Sequence, residues 1–97
     1  MTIDEFRMSA TEPSGAPPPG LSGALQGLWY DAHGGWDQAH DHAQSDRTKA
    51  GSWVHAYLHR KEGDVGNAAY WYSRAGRPIA QGSPSEEWTA IATELLG

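Results

Sequence analysis

The chain contains no cysteine, which excludes disulfide bonds and any metal site built on thiolates. It also lacks a hydrophobic run of the length that a membrane-spanning helix or the core of a signal peptide requires. A cysteine-free composition fits a reducing compartment. We therefore expect a soluble, cytoplasmic protein without a membrane partner.

Positive charge is also scarce. Seven Lys and Arg residues stand against twelve Asp and Glu residues, so the formal net charge is -5 and the pI is about 5.4. Affinity for nucleic acids depends mainly on clustered Lys and Arg side chains that neutralise phosphates. The composition therefore argues against a nucleic-acid partner.

Hydrophobic residues are few, but tryptophan is abundant. Hydrophobic residues make up 38% of the chain. Its length of 97 residues has room for one small domain. The five Trp residues are several times the usual share, and each large ring can bury about 150–250 Å². We expect one core, or an interface, that is rich in aromatic side chains.

Hydrophobic residues recur at helical spacing through most of the chain. In the first such segment, Leu21 and Leu28 share one face of a helix. In the last, Ser83 is a predicted N-cap, Pro84 takes the first helical position, and Glu86 completes a capping box. The patterns predict a single all-α domain over residues 21–97 with five short helices: Leu21–His33, Trp36–Gln44, Thr48–Glu62, Val65–Ala75 and Pro84–Leu96.

Residues 1–20 differ from the rest, because four of the six prolines lie between Pro13 and Pro19. Proline lacks the N–H that a helix interior needs, so the segment predicts a Pro-rich N-terminal arm of irregular or polyproline conformation. A short strand near the N-terminus is the only sheet that we expect. Ile3, Phe6 and Met8 could anchor the arm to the helical domain, and a frayed terminus is the alternative.

The stretch from Trp53 to Pro78 is predicted to form an antiparallel helical hairpin, around which the rest of the domain is organised. Gly63 can take the left-handed conformation that ends a helix, and Asp64 can cap the helix that follows. Aromatic residues on the apolar stripes of their helices should be largely buried: Trp29, Trp53, Tyr57, Tyr72 and Trp88.

The second helix of this hairpin resembles the second helix of a tetratricopeptide repeat. Its residues Gly63, Ala68, Tyr72 and Ala75 follow the spacing of that repeat. The preceding segment is similar at Gly27, Tyr30, Gly34, Ala39 and Ala43. The resemblance implies two antiparallel hairpins of the tetratricopeptide type, closed by the last helix as a cap.

Three stretches also resemble a family of short, uncharacterised proteins that occurs mainly in bacteria. They are Leu28–Ala32, Trp36–His40 and Trp53–Asp64. This resemblance supports the helical fold and implies no activity.

The five histidines are the most notable chemical feature. His55 and His59 are four residues apart on the side of their helix opposite the apolar arc, which predicts a polar face on which two imidazoles can reach one Zn²⁺ or Ni²⁺ ion. His40, Asp41 or His42 on the neighbouring hairpin could supply further ligands.

A structural role is the favoured interpretation of these histidines, and the metal site is its alternative. His55 and His59 can instead form hydrogen bonds with carboxylates or backbone groups where helices meet. His40 falls on the apolar side of its helix, where a core histidine with satisfied hydrogen bonds is expected.

No residue pattern indicates catalysis. Ala56 occupies the position after His55 where zinc peptidases carry Glu, so their motif is absent. Ser52 and Ser73 lie on predicted helices and lack the sharp turn that exposes a nucleophile. Solvation or capping accounts for the carboxylates that could approach one another: Asp31, Asp37, Asp41, Glu62 and Asp64. The sequence neither identifies nor excludes an enzyme, and we favour a protein without enzymatic activity.

Four residues of the second hairpin helix are candidates for a binding surface: Asn67, Tyr70, Trp71 and Arg74. Aromatic and arginine side chains outside a core are typical interface anchors, although Trp71 could instead pack beneath the last helix. An aromatic surplus in so short a chain also predicts an exposed patch and a homodimer. The favoured function is therefore a protein-interaction or self-association module. Metal or small-molecule binding through histidine is the alternative, and an enzyme of unrecognised type is the third hypothesis.

Overall fold

Six α-helices make up the computed structural model, which describes residues 1–97, and it has no β-strand. In chain order they are α1 Ile3–Thr11, α2 Gly23–His33, α3 Trp36–Ser45, α4 Lys49–Lys61, α5 Val65–Ala75 and α6 Pro84–Leu96. The all-α prediction is confirmed, and the bounds of α2 to α6 lie within two residues of those predicted. None of the helices combines the length and the hydrophobicity needed to span a lipid bilayer.

Side-chain caps determine where five of the six helices begin. In each case the side chain of the residue before the helix accepts a hydrogen bond from the backbone N–H of the third helical residue, which satisfies one of the free donors. The caps are Thr2, Ser22, Thr48, Asp64 and Ser83. Gly63 has a φ of 90° between α4 and α5, so the predicted stop at Gly63 and start at Asp64 are confirmed.

Helix α1 corrects the prediction that the N-terminal arm is irregular throughout. Thr2 and Glu5 form a capping box, and nine residues follow in a helix before the proline-rich segment begins. Phe6 is fully buried and stacks on Trp88 with 5.6 Å between ring centroids. The predicted anchoring role is therefore confirmed for Phe6 and wrong for Met8, which is 72% exposed.

Helix α4 is the centre of the fold, because it contacts α2, α3, α5 and α6. All nine residues from Gly51 to His59 are buried. The predicted polar face of this helix is therefore wrong. His40 of α3 and Trp71 of α5 both contact His55, so two helices cover the side of α4 that carries the histidines.

The core is aromatic, as predicted. Trp29, Trp53, Tyr57, Tyr72 and Trp88 are all buried, with at most 8% of any of them exposed. Two of these buried indole rings also have paired N–H groups. Trp29 Nε1 donates to Ser9 Oγ at 3.1 Å, and Trp88 Nε1 donates to the Leu28 carbonyl at 2.9 Å. These bonds join α1 and α6 to α2.

Glycine permits one very close approach of backbone in this core. A Cβ atom added to Gly51 would lie 2.0 Å from the backbone oxygen of Asp46, a distance that real Cβ atoms do not reach. The first turn of α4 can therefore pack against the end of α3 only because residue 51 lacks a side chain. This approach helps to set the position of α3, and with it His40, relative to α4.

Candidate metal centre

Three histidine side chains meet where α3, α4 and α5 pack together. His40 comes from α3, and His55 and His59 come from successive turns of α4. The Nε2 atoms of His40 and His55 are 3.0 Å apart. One ligand nitrogen from each of the three rings lies within 4.8 Å of the other two. We call these three residues the histidine cluster.

His59 has neighbours at both ring nitrogens. Its Nδ1 lies 2.6 Å from Oε1 of Glu62, and its Nε2 lies 3.4 Å from Nδ2 of Asn67. An ionised carboxylate can only accept hydrogen bonds, so in neutral His59 the proton is on Nδ1. Glu62 thereby leaves the Nε2 lone pair of His59 free to accept a hydrogen bond or to bind a metal ion.

His55 is the most buried member of the histidine cluster, with 3% of its surface exposed. Burial, and then the neighbouring His40 and His59, lower the pKa of His55 to about 4. Its Nδ1 is buried and has no hydrogen-bond partner. Because an unpaired buried donor costs about 1–3 kcal/mol, the favoured tautomer of His55 keeps its proton on Nε2 and donates it to Nε2 of His40.

Two indole rings form walls around the histidine cluster. Trp71 of α5 stacks on His55 with 4.0 Å between ring centroids, and Trp36 of α3 stacks on His40 at 5.1 Å. Trp36 is held in turn by a hydrogen bond from its Nε1 to the Leu58 carbonyl, at 3.3 Å. The walls restrict rotation of the imidazole rings, so their nitrogens are preorganised.

The histidine cluster lies at the edge of the core rather than at its centre. His55 and His59 are buried, whereas His40 is half-buried and the adjacent Asn67 is exposed. Solvent therefore reaches the cluster from the side of His40 and Asn67.

The structure places the two predicted groups of site residues next to each other. Asn67 and Trp71, predicted for a binding surface, contact the predicted metal pair. Tyr70 and Arg74 lie outside the cluster, both exposed, and Arg74 Nη1 donates to the Tyr70 hydroxyl at 3.1 Å. The ring of Trp71 lies on His55, so the alternative position beneath the last helix is wrong.

Of the further ligands predicted from α3, only His40 joins the cluster. Asp41 is exposed, and His42 stacks on Tyr30 with 5.0 Å between ring centroids. The expectation of a core His40 is met in part, because the ring packs on Trp36 and is hydrogen-bonded to His55 but is only half-buried. Sequence reasoning missed the role of Trp36, although its position four residues before His40 was a usable signal.

His59 belongs to a second possible group of ligands with Glu62 and Asp64. Asp64, however, caps α5 and accepts from the backbone N–H of Asn67 at 3.3 Å and from its side chain at 3.4 Å. Glu62 is occupied by His59 Nδ1. These carboxylates therefore support His59 and the start of α5, and the predicted capping role of Asp64 is confirmed.

Two buried carboxylates lie away from the histidine cluster. Asp31 accepts from the Tyr57 hydroxyl at 2.5 Å and from Lys61 Nζ at 2.9 Å, and Glu87 accepts from the Tyr72 hydroxyl at 2.6 Å. Burial, and then the adjacent carboxylate, raise the pKa of each tyrosine above its usual value. The expectation that Asp31 is a solvated or capping residue is therefore wrong.

Comparison with known proteins gives no relative whose role could be carried over. The chain matches no protein-family model, and searches of curated proteins and of solved structures find no significant match. A function must therefore be inferred from the residues of the chain itself.

Proposed function

We propose that the protein binds one divalent transition-metal ion, Zn²⁺ or Ni²⁺, through His40, His55 and His59. The observation that carries the proposal is the approach of one ligand nitrogen from each ring to within 4.8 Å of the other two. Around a tetrahedral Zn²⁺ with Zn–N distances of about 2.0–2.1 Å, two ligand nitrogens are about 3.3 Å apart. His40 and His55, at 3.0 Å, are already close to that separation.

The protonation state of the cluster supports the proposal. A histidine must be neutral to bind a metal, and the low pKa of His55, about 4, keeps this ring neutral at physiological pH. Glu62 directs the proton of His59 to Nδ1 and so exposes the Nε2 lone pair. A carboxylate on the outer nitrogen of a histidine is the usual way in which proteins orient a metal ligand.

The unpaired Nδ1 of His55 lowers the metal affinity that we expect. Coordination through Nε2 moves the proton of this ring to Nδ1, where it has no hydrogen-bond partner. The cost is about 1–3 kcal/mol, which corresponds to a loss of about 5–150-fold in the affinity that we expect.

Three histidine ligands leave the coordination sphere incomplete. A Zn²⁺ ion held by three protein ligands keeps a fourth position for water or another small ligand. Asn67, whose side-chain nitrogen lies 3.4 Å from His59 Nε2, is exposed on the open side of the cluster. Its amide can turn to donate to, or accept from, a group in that position.

The experiment is a thermal unfolding series with Zn²⁺ and Ni²⁺ on protein without a polyhistidine tag. An ion that binds only the folded state at a hundred times its Kd adds about 2.7 kcal/mol of stability. For a domain of this size, that raises the Tm by about 10 °C or more. We expect this increase in the wild-type protein.

Two histidines of α3 provide a matched pair of variants. His40→Ala removes a ligand from a half-buried position and should abolish most of the increase in Tm. His42→Ala removes a half-buried histidine two residues away that stacks on Tyr30, and it should retain the increase. An unchanged Tm across the metal series in the wild-type protein, or an equal increase in His40→Ala, would overturn the proposal.

Self-association is a second candidate function, and the exposure of Tyr70 favours it. This side chain is 53% exposed, and the guanidinium of Arg74 lies 5.9 Å from the centre of its ring. Aromatic and arginine side chains in such positions are typical interface anchors. Light scattering of the wild type and of Tyr70→Ala tests this candidate. A dimeric mass that the substitution reduces would support it, and a monomeric wild type would rule it out.

We also propose that α2–α3 and α4–α5 are two hairpins of the tetratricopeptide type with α6 as their cap. In support, the helices within each pair pack closely on each other, and the turn glycines Gly34 and Gly63 have similar φ angles of 98° and 90°. The small residues Ala39 and Ala68 are buried near the start of the second helix of each pair. An experimental structure in which one hairpin follows the other by the superhelical step of such repeats would support this relationship, and an irregular step would contradict it.

A further inference from the structure

A pocket of about 270 Å³, open to solvent, lies among α1, α2, α4 and α6, away from the histidine cluster, and we refer to it as the cavity. It includes Tyr57 and Lys61 of α4, which are each two residues from a cluster histidine and therefore project from the nearly opposite face of the helix. Ligand pockets for drug-sized molecules usually measure about 300–1,000 Å³. This cavity is slightly smaller than that range, so it suits a ligand smaller than a drug molecule.

The buried acid of this cavity is already paired. Asp31 accepts from Tyr57 through one carboxylate oxygen and from Lys61 through the other, so its charge is neutralised within the protein. The Lys61 side chain is 43% exposed and has three N–H donors, of which Asp31 uses one. Two donors of Lys61 therefore remain for a ligand.

Arg7 supplies the second cation of the cavity, and it is held in position. Its Nη2 donates to Thr89 Oγ1 at 2.9 Å, and its guanidinium lies 5.6 Å from the centre of the Trp88 ring. Its one acidic partner is Asp4, at 3.3 Å, whose side chain is 83% exposed and therefore contributes little binding energy. Three of the five N–H donors of Arg7 have no partner in the protein.

The charge of the cavity is opposite to that of the whole chain. Arg7 and Lys61 carry two positive charges and Asp31 carries one negative charge, so the charged residues that line the cavity sum to about +1. The chain as a whole has a formal net charge of -5. Ala32 and the ring of Trp88 form an apolar wall beside these cations.

We propose that this cavity binds a small organic carboxylate. The carboxylate would bind to Arg7 and Lys61, because the planar fork of arginine matches the two oxygens of a carboxylate. The body of the ligand would lie against Trp88 and Ala32. The site is independent of the histidine cluster.

Benzoate is a suitable probe, because it combines a carboxylate with a flat apolar body. We would titrate it into the full-length, ¹⁵N-labelled protein and follow the indole N–H signal of Trp88 and the side-chain N–H signal of Arg7. Benzamide has the same shape without the charge, and inorganic phosphate has charge without the apolar body. We expect a saturable shift with benzoate, at least tenfold weaker binding of benzamide, and no saturable shift of Trp88 with phosphate.

Two arginines provide the matched variants. Arg7→Gln should weaken benzoate binding at least tenfold. Arg77→Gln removes an arginine that also stacks on a tryptophan, Trp53, and has comparable exposure, and it should bind benzoate as the wild type does. The absence of a saturable shift in the wild type, equal binding of benzamide or phosphate, or unchanged binding by Arg7→Gln would each overturn the proposal. If Arg7→Gln does not fold, the comparison of benzoate, benzamide and phosphate on the wild-type protein still tests whether the cavity binds an organic carboxylate.

Discussion

His40 Nε2 lies 3.0 Å from His55 Nε2, although the two residues are fifteen positions apart and belong to different helices. At this distance two imidazoles must share one proton or bind one cation, because two charged rings would repel each other strongly. The addition of His59 turns the pair into a set of three nitrogen ligands. We therefore propose metal binding as the function of this cluster.

The orienting role of Glu62 leads to a first prediction. Loss of an outer carboxylate typically lowers metal affinity by about 10–100-fold, because the ligand nitrogen becomes less basic and its ring less ordered. Glu62→Gln should therefore weaken Zn²⁺ binding by about that factor, as measured by isothermal titration calorimetry. Glu94→Gln is the control, because Glu94 is 54% exposed and pairs with Arg77 instead. Equal affinities of the wild type and Glu62→Gln would contradict the assigned role.

Helical periodicity predicted the histidine pair but not its environment. Spacing places His55 and His59 on the side of α4 opposite its most apolar residues, and such a side is normally solvated. Here α4 is covered on all sides, which only the arrangement of the other helices determines. The part played by His40 depends on how α3 packs against α4, and a single sequence carries no direct signal for that contact.

The close approach at Gly51 leads to a second prediction. Gly51→Ala would place a Cβ atom 2.0 Å from the Asp46 backbone oxygen, so α3 and α4 must move apart. We expect a loss of about 3 kcal/mol in the free energy of unfolding, as in other overpacked cores. Gly66→Ala is the control, because an added Cβ there meets nothing within 4 Å, and it should stabilise α5 by about 0.5–1 kcal/mol. Urea denaturation of both variants measures the difference, and a tolerated Gly51→Ala would show that α3 and α4 are packed differently.

Asp46 leads to a third prediction, on pH dependence. Burial raises the pKa of Asp46, but hydrogen bonds from the Thr48 side chain, the Thr48 backbone and the Ala24 backbone outweigh it, so the pKa is lowered overall. A depressed pKa means that the folded state favours the charged form. Its contribution to stability is therefore full above the unfolded pKa of about 3.9 and is lost as the pH falls through the lower, folded value.

Asp46→Asn should accordingly cost about 1 kcal/mol at pH 7, since the group is partly solvated. The difference from the wild type should shrink once the pH falls below about 3.9. Asp41→Asn, at an exposed position of α3, is the control for the loss of one carboxylate, and it should cost less than about 0.5 kcal/mol. Urea titrations of the three proteins across this range would check the result, and a difference independent of pH would mean that the charge of Asp46 is not what stabilises the fold.

Helix α1 leads to a fourth prediction. Phe6 is fully buried against Trp88, so Phe6→Ala should cost about 3–5 kcal/mol. Met8 lies on the same helix but is 72% exposed, so Met8→Ala should change stability by less than about 0.5 kcal/mol. Thermal unfolding of the two variants distinguishes an integral α1 from a loosely attached arm, for which both changes would be small.

Two other features show where sequence reasoning reached its limit. The capping box of Thr2 and Glu5 signalled α1, but the prolines that follow dominated the interpretation of residues 1–20. Asp31 could not be recognised as buried, because its partners Tyr57 and Lys61 lie 26 and 30 residues further along the chain. Local signals such as caps and periodic stripes predicted α2 to α6 well, whereas paired polar groups in the core depend on contacts between distant residues.

The central claim is that three imidazoles bind one metal ion, and zinc X-ray absorption spectroscopy of the loaded protein tests it most directly. We expect one Zn²⁺ per chain, with three imidazole nitrogens at about 2.0–2.1 Å, and only two imidazole ligands in His40→Ala. A first shell of oxygen atoms with one imidazole or none, or a spectrum that His40→Ala leaves unchanged, would contradict the claim.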